Sequence, residues 1–124
     1  MSLSIRNISV LVVEDEALLR MEAADMSEDA GFIVFEAGNA DEAILILEHH
    51  PEICILFTDI HIPGSMDGIK LSHYARRRWP PLKIIVTSSQ SHPGASDLPG
   101  GSVFIPKPVS AARFAREVRE MMIS

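Results

Sequence analysis

The chain has 124 residues, enough for one domain with a self-supporting core and too few for two ordinary ones. Hydrophobic residues make up 47% and charged residues 23%, an ordinary globular balance, and the net charge is −6. That acidity disfavours direct binding to nucleic acid or to an anionic membrane, both of which require a basic face.

Cys54 is the only cysteine, so an internal disulfide is excluded; inside ICILF it reads as a small buried thiol. No apolar run reaches the roughly 18 residues of a membrane span. The start, MSLSIRNISV, lacks the charged, apolar and cleavage regions of a signal peptide. A soluble cytoplasmic protein is expected.

ISVLVV (8–13) is a continuous apolar run of strand type. Leu19, Ala23, Met26 and Ala30 then fall at helical spacing, and Gly31 marks the stop. FIVFEA (32–37) predicts a second strand. Asn39 offers an N-cap with Glu42 three residues on, the pattern of a capping box. Ala40, Ala43, Ile44 and Leu47 form the inward stripe of that helix, and Pro51 lies beyond its end. ICILFTD (53–59) predicts the third strand. Residues 67–79 predict a third helix, with Leu71, Tyr74 and Ala75 inward and Arg76, Arg77 and Arg78 at the end where cations suit the helix dipole. LKIIVTS (82–88) and the short VFIP (103–106) complete the strands. Ser110 caps a last helix whose predicted stripe is Ala111, Phe114, Ala115, Val118 and Met122.

Alternation of helices with fully apolar strands predicts an α/β protein with a five-stranded parallel sheet covered on both faces. The expected form is doubly wound and flavodoxin-like, with strand order 2-1-3-4-5. One link is irregular. Between strands four and five lies SSQSHPGASDLPGGS, where 10 of 15 residues are Ser, Gly or Pro. It is long enough for a crossover but poor helix material, so a short or irregular fourth helix of at most one turn is expected.

In such a sheet, ligands bind beyond the carboxyl ends of the strands where strand order reverses. Strand one runs into Glu14 and Asp15, and strand three ends on Asp59. With these strands adjacent, Asp15 and Asp59 are expected to face each other. Two carboxylates about 4 Å apart repel by roughly 4 kcal/mol at an effective dielectric of about 20. A shared proton is one remedy. A divalent cation is the other, and an oxygen-only cluster suits Mg²⁺, with a backbone carbonyl from the loop after Asp59 as a further ligand. Strand four delivers Thr87 and Ser88, and strand five delivers Lys107 and Pro108. Acids, a hydroxyl and a lysine around one crevice form a phosphoryl-transfer constellation.

The segments VLVVEDE (10–16), TDIHIP (58–63), MDG (66–68), IIVTS (84–88) and FIPKP (104–108) occur in that order, each at a strand end. Together they resemble the receiver domain of two-component response regulators, over residues 1–124. The resemblance implies Asp59 as the phospho-accepting aspartate, Asp15 as a direct Mg²⁺ ligand, Glu14 as its companion through water, and the His61 carbonyl as the third protein ligand. It implies that Thr87 hydrogen-bonds the phosphoryl group, that Lys107 pairs with it, and that Pro108 follows a cis peptide. Phe104 falls at the position of the switch aromatic. The implied partners are a histidine kinase or histidine phosphotransfer protein and an unknown downstream protein, with dimerisation compatible with the family. A signalling module rather than an enzyme is expected, either free-standing or part of a longer protein.

The sequence departs from the family pattern in three places. The loop PGSMDG is one residue longer than usual, Ser88 replaces a smaller residue, and the fourth-helix segment is SHPGASDLPGG. The last departure predicts either a rebuilt output surface or signalling by order and disorder of this segment. The runner-up function is a pseudo-receiver that binds proteins without being phosphorylated. A phosphohydrolase is disfavoured because the usual second aspartate is His61, and a flavin carrier because the acidic EDEALL repels phosphate. His49, His50, His61, His73 and His92 show no zinc-site spacing and read as surface residues. Arg76–Arg78 with Trp79 reads as a solvated helix end rather than a nucleic-acid patch.

Overall fold

A computed structural model describes residues 8–123. In chain order the elements are β1 (Ser9–Val13), α1 (Ala17–Asp29), β2 (Ile33–Ala37), α2 (Ala40–His49), β3 (Ile53–Asp59), α3 (Gly68–Arg78), β4 (Lys83–Ser88), β5 (Val103–Pro106) and α4 (Ala111–Ile123). The five strands are all parallel, in the order β2-β1-β3-β4-β5. Between β4 and β5 lies only one 3-10 turn, Ala95–Asp97. The α/β class, the strand order and the irregular fourth helix match the sequence expectation.

Period-two alternation divides the core into two layers. Leu11, Val13, Leu56, Ile84 and Val86 point to one face and pack with Ala43 and Leu47 of α2 and Leu71 and Ala75 of α3. Val10, Val12, Ile55, Phe57 and Ile85 point to the other, against Phe114 and Val118 of α4. Phe114 anchors that layer, its ring 4.7 Å from Phe57 and 6.0 Å from Phe32 between centroids.

Several local expectations change. β2 is an edge strand, so Ile33 is exposed despite its apolar run. In α1 the fully buried residues are Ala24 and Ser27; Leu19, Ala23 and Met26 are half-buried because they border a cavity rather than the sheet. Ser27 tolerates burial because its hydroxyl donates to the Ala23 carbonyl at 2.8 Å. In α4 the inward set is Phe114, Val118 and Met121, while Ala111 is exposed in the first turn. Tyr74 is half-buried, edge-on to Trp79.

The caps follow side-chain chemistry. Asn39 accepts from the Glu42 N–H at 2.8 Å, but Glu42 reaches back to the N–H of Gly38 at 2.6 Å, one residue before the N-cap. Asp67 caps α3 through the Lys70 N–H, and Ser110 caps α4 through the Arg113 N–H.

Candidate functional site

Sheet register builds the site. Val13 pairs with Thr58, so the next residues along, Glu14 and Asp59, lie side by side. Asp59 pairs with Thr87, and Ser88 pairs with Pro106. The Lys107 N–H then donates to the Ser88 carbonyl at 3.0 Å, which carries its side chain back over the strand ends. The neighbour of Asp59 across the switch point is therefore Glu14. Asp15, expected there, lies one residue further on and is exposed at the rim of the same cavity. A single register step separates the two arrangements.

Glu14 and Asp59 are buried, at 5% and 8% exposure, so their charge needs an answer. Lys107 supplies it. Its Nζ donates to Glu14 Oε1 at 2.7 Å and to Asp59 Oδ2 at 2.8 Å. Beside the shared proton and the metal ion expected from the sequence, the ammonium of Lys107 is a third solution. Burial pushes the Glu14 carboxyl above its ordinary range, Asp59 adds to the rise, and Lys107 holds it back. For Lys107, burial works to lower the ammonium pKa, but Asp59 and Glu14 together outweigh it and hold it above the usual value.

The remaining Asp59 oxygen, Oδ1, accepts the backbone N–H of His61 at 3.1 Å. Among the described residues, Thr87 Oγ1 is buried without a hydrogen-bond partner, beside its strand neighbour Asp59. A buried orphan hydroxyl is costly and asks for a ligand. The Lys107–Pro108 peptide is cis. Phe104 is half-buried against the α2–α3 layer, edge-on to His92 at 5.8 Å.

Gly68 sets the back wall. A Cβ there would collide with the Asp59 carbonyl oxygen and approach Ile60 Cα to 2.8 Å. Only glycine lets α3 start this close, and its N–H donates to the Ile60 carbonyl at 2.8 Å. The MDG signature thus has a steric reason. The cavity in front measures about 690 Å³ and includes Glu14, Asp15, Asp59, His61, Thr87 and Lys107 in its lining.

The donor chemistry fits a hard divalent cation, since the carboxylates of Glu14, Asp15 and Asp59 line the site and the orphan hydroxyl of Thr87 suits an oxyanion beside it. Among the described residues no three His, Cys, Asp or Glu side chains form a ready metal cage. A contact absent from the sequence reading is the hydrogen bond between His61 Nε2 and Ser91 Oγ, 3.0 Å long. His61 was legible as a neighbour of the acceptor position, but Ser91 carries no local signal.

Fold and site together define a parallel α/β protein with an acid–lysine centre at its switch point. Residues 10–119 match the response regulator receiver domain family, and the chain belongs to it. It is 35% identical over 118 residues to the sensor kinase CckA of Brucella abortus, covering 92% of this chain and 12% of that protein. It is 40% identical over 84 residues to the transcriptional regulatory protein PdtaR of Mycobacterium tuberculosis, covering 65% of this chain and 40% of that protein. The chain thus spans less than half the length of either relative. Among solved structures, a response regulator receiver protein from Sinorhizobium medicae superposes with a TM-score of 0.85 at 27% identity, covering 98% of each chain. The receiver domain of the hybrid histidine kinase CckA superposes with a TM-score of 0.77 at 30% identity, covering 92% of this chain and 98% of that one. Among the described residues no helix is long and apolar enough to cross a membrane.

Proposed function

We propose that residues 1–124 form a phospho-accepting receiver of a two-component phosphorelay. Asp59 takes a phosphoryl group from the phosphohistidine of a partner histidine kinase or phosphotransfer protein, in the cytoplasm. The observation that carries this reading is the Lys107 bridge from Asp59 to Glu14 beside the unpartnered Thr87 hydroxyl. The names of the sensor kinase and regulatory relatives point to the same setting.

An Asp59 carboxylate oxygen attacks phosphorus, and the bond from phosphorus to the donor imidazole nitrogen breaks. The imidazole leaves with its electron pair and takes a proton from water. Lys107 shifts from carboxylate to phosphoryl oxygen, and Thr87 Oγ1 donates the hydrogen bond that it lacks in the resting state. Asp15, Asp59 and the His61 carbonyl would hold Mg²⁺, with Glu14 as their companion. When bound, the ion neutralises charge on the phosphoryl oxygens. Movement of Thr87 opens space for Phe104, which repacks the surface of β4, β5 and α4 that a downstream protein reads.

Intact mass after incubation with acetyl phosphate tests the reading. Wild type gains one phosphoryl group only with Mg²⁺, and Asp59→Asn gains none. A fold-intact wild type that binds no Mg²⁺ and gains nothing is a pseudo-receiver.

A further inference from the structure

Glu14 and Asp59 have their carboxylates fixed by Lys107. Asp15 does not. It is exposed, and among the described residues its side chain has no hydrogen bond or ion pair. Its direction is therefore set by the backbone that carries it, above all by the peptide between Glu14 and Asp15. That peptide is planar, so a bond to its carbonyl oxygen orients the whole unit.

Arg20, the fourth residue of α1, holds that oxygen. Its Nη1 donates to the Glu14 carbonyl at 2.9 Å. The Glu14 N–H in turn donates to the Ala37 carbonyl at 3.0 Å. Both backbone groups of Glu14 are thus tied down, one by the end of β2 and one by α1. The guanidinium is itself anchored. Arg20 is half-buried, and its Nε lies 3.5 Å from Glu36 Oε1. It also packs beside Gly38, where a Cβ would sit 3.5 Å from Nη1. Helix α1 and the end of β2 therefore meet through one side chain at the turn that carries Asp15.

Electrostatics alone argues against an arginine here. A fixed cation beside an acid cluster lowers the affinity of that cluster for a divalent cation. Glu36 offsets part of the charge, and the hydrogen bond to the Glu14 carbonyl accounts for the rest of the arrangement.

We propose that Arg20 is the positioning residue for Asp15: by holding the Glu14 carbonyl it fixes the direction in which Asp15 meets Mg²⁺. The inference rests on the reading of Asp15 as a metal ligand. Mg²⁺ demands near-ideal octahedral geometry, whereas Ca²⁺ accepts variable geometry. Loss of positioning therefore costs Mg²⁺ more than Ca²⁺. Loss of the positive charge works the opposite way and strengthens the binding of both ions, so the sign of the change separates the two effects.

Calorimetric titration of chelator-treated, unphosphorylated protein with Mg²⁺, and separately with Ca²⁺, tests the proposal. Removing a partner outside the coordination sphere typically costs about 10–100-fold in metal affinity, and Arg20, acting through one peptide, belongs at the low end. Arg20→Gln is expected to raise the Kd for Mg²⁺ about tenfold and that for Ca²⁺ by no more than about threefold. Arg20→Met, which keeps the aliphatic stem, behaves alike, and thermal melts without metal verify that each variant is folded. Unchanged or tighter Mg²⁺ binding in a folded variant overturns the proposal and leaves the metal reading standing. A loss equal for the two ions also overturns it, since geometry then plays no part. Wild type that binds no Mg²⁺ removes the metal reading, and the role of Arg20 with it.

Discussion

Lys107 and Asp59, 48 positions apart in the chain, meet at 2.8 Å, and the same ammonium reaches Glu14 at 2.7 Å. The resting site is thus electrostatically closed by a residue that the proposed chemistry must later redirect. Removing the ammonium strands two buried carboxylates. Lys107→Met is expected to lose about 2–4 kcal/mol of stability at pH 7, less than a fully buried pair because the lysine is 20% exposed. The loss shrinks toward pH 4.5 as Glu14 takes up a proton. Urea unfolding at the two pH values checks both statements.

Glu14 carries the opposite sign. Burial holds its folded pKa above the ordinary carboxylate range, so the folded state holds the proton more tightly than the unfolded chain. Its contribution to stability is therefore greatest below pH 4.5 and declines as pH rises through its raised folded value. Glu14→Gln in metal-free protein is expected to raise Tm at pH 7 by about 2–4 °C and to match wild type in acid. A variant less stable than wild type at pH 7 contradicts this.

The Thr87 hydroxyl is buried with no hydrogen-bond partner among the described residues, which separates its stability role from its chemical one. Thr87→Val is expected to leave resting stability unchanged or higher by up to about 1 kcal/mol. Phosphorylation by acetyl phosphate slows about tenfold or more in the same variant, since a stabilising donor to the phosphoryl group is gone. Thermal melts and timed intact-mass measurements read the two effects separately.

Gly68 closes α3 against the carbonyl of Asp59, where a methyl group has no room. Gly68→Ala is expected to cost about 2 kcal/mol or more, because backbone rather than a flexible side chain must yield. Denaturant midpoints measure the cost.

Much of this was legible in the sequence because it follows from periodicity. Apolar runs ending in Asp59 and Thr87 fix strands, and strand ends fix the site's location. What escaped was set by a single register step or by tertiary contact. Glu14 rather than Asp15 faces Asp59 because β1 and β3 pair Val13 with Thr58. Ile33 is exposed because β2 has a neighbour on one side only. Lys107 as the resting counter-ion needed the strand order and the turn after β5 together, and a lysine's reach is invisible in one dimension. The His61–Ser91 bond joins two loops 30 positions apart, where no periodicity operates.

The central claim is that Asp59 is the phosphoryl acceptor. Its most direct measurement is to load the protein with acetyl phosphate and Mg²⁺, reduce any acyl phosphate with borohydride, and sequence the peptides by mass spectrometry. The account predicts homoserine in place of Asp59 and unmodified Glu14 and Asp15. Homoserine elsewhere with Asp59 intact, or a stable phosphate on a hydroxyl residue, would contradict it.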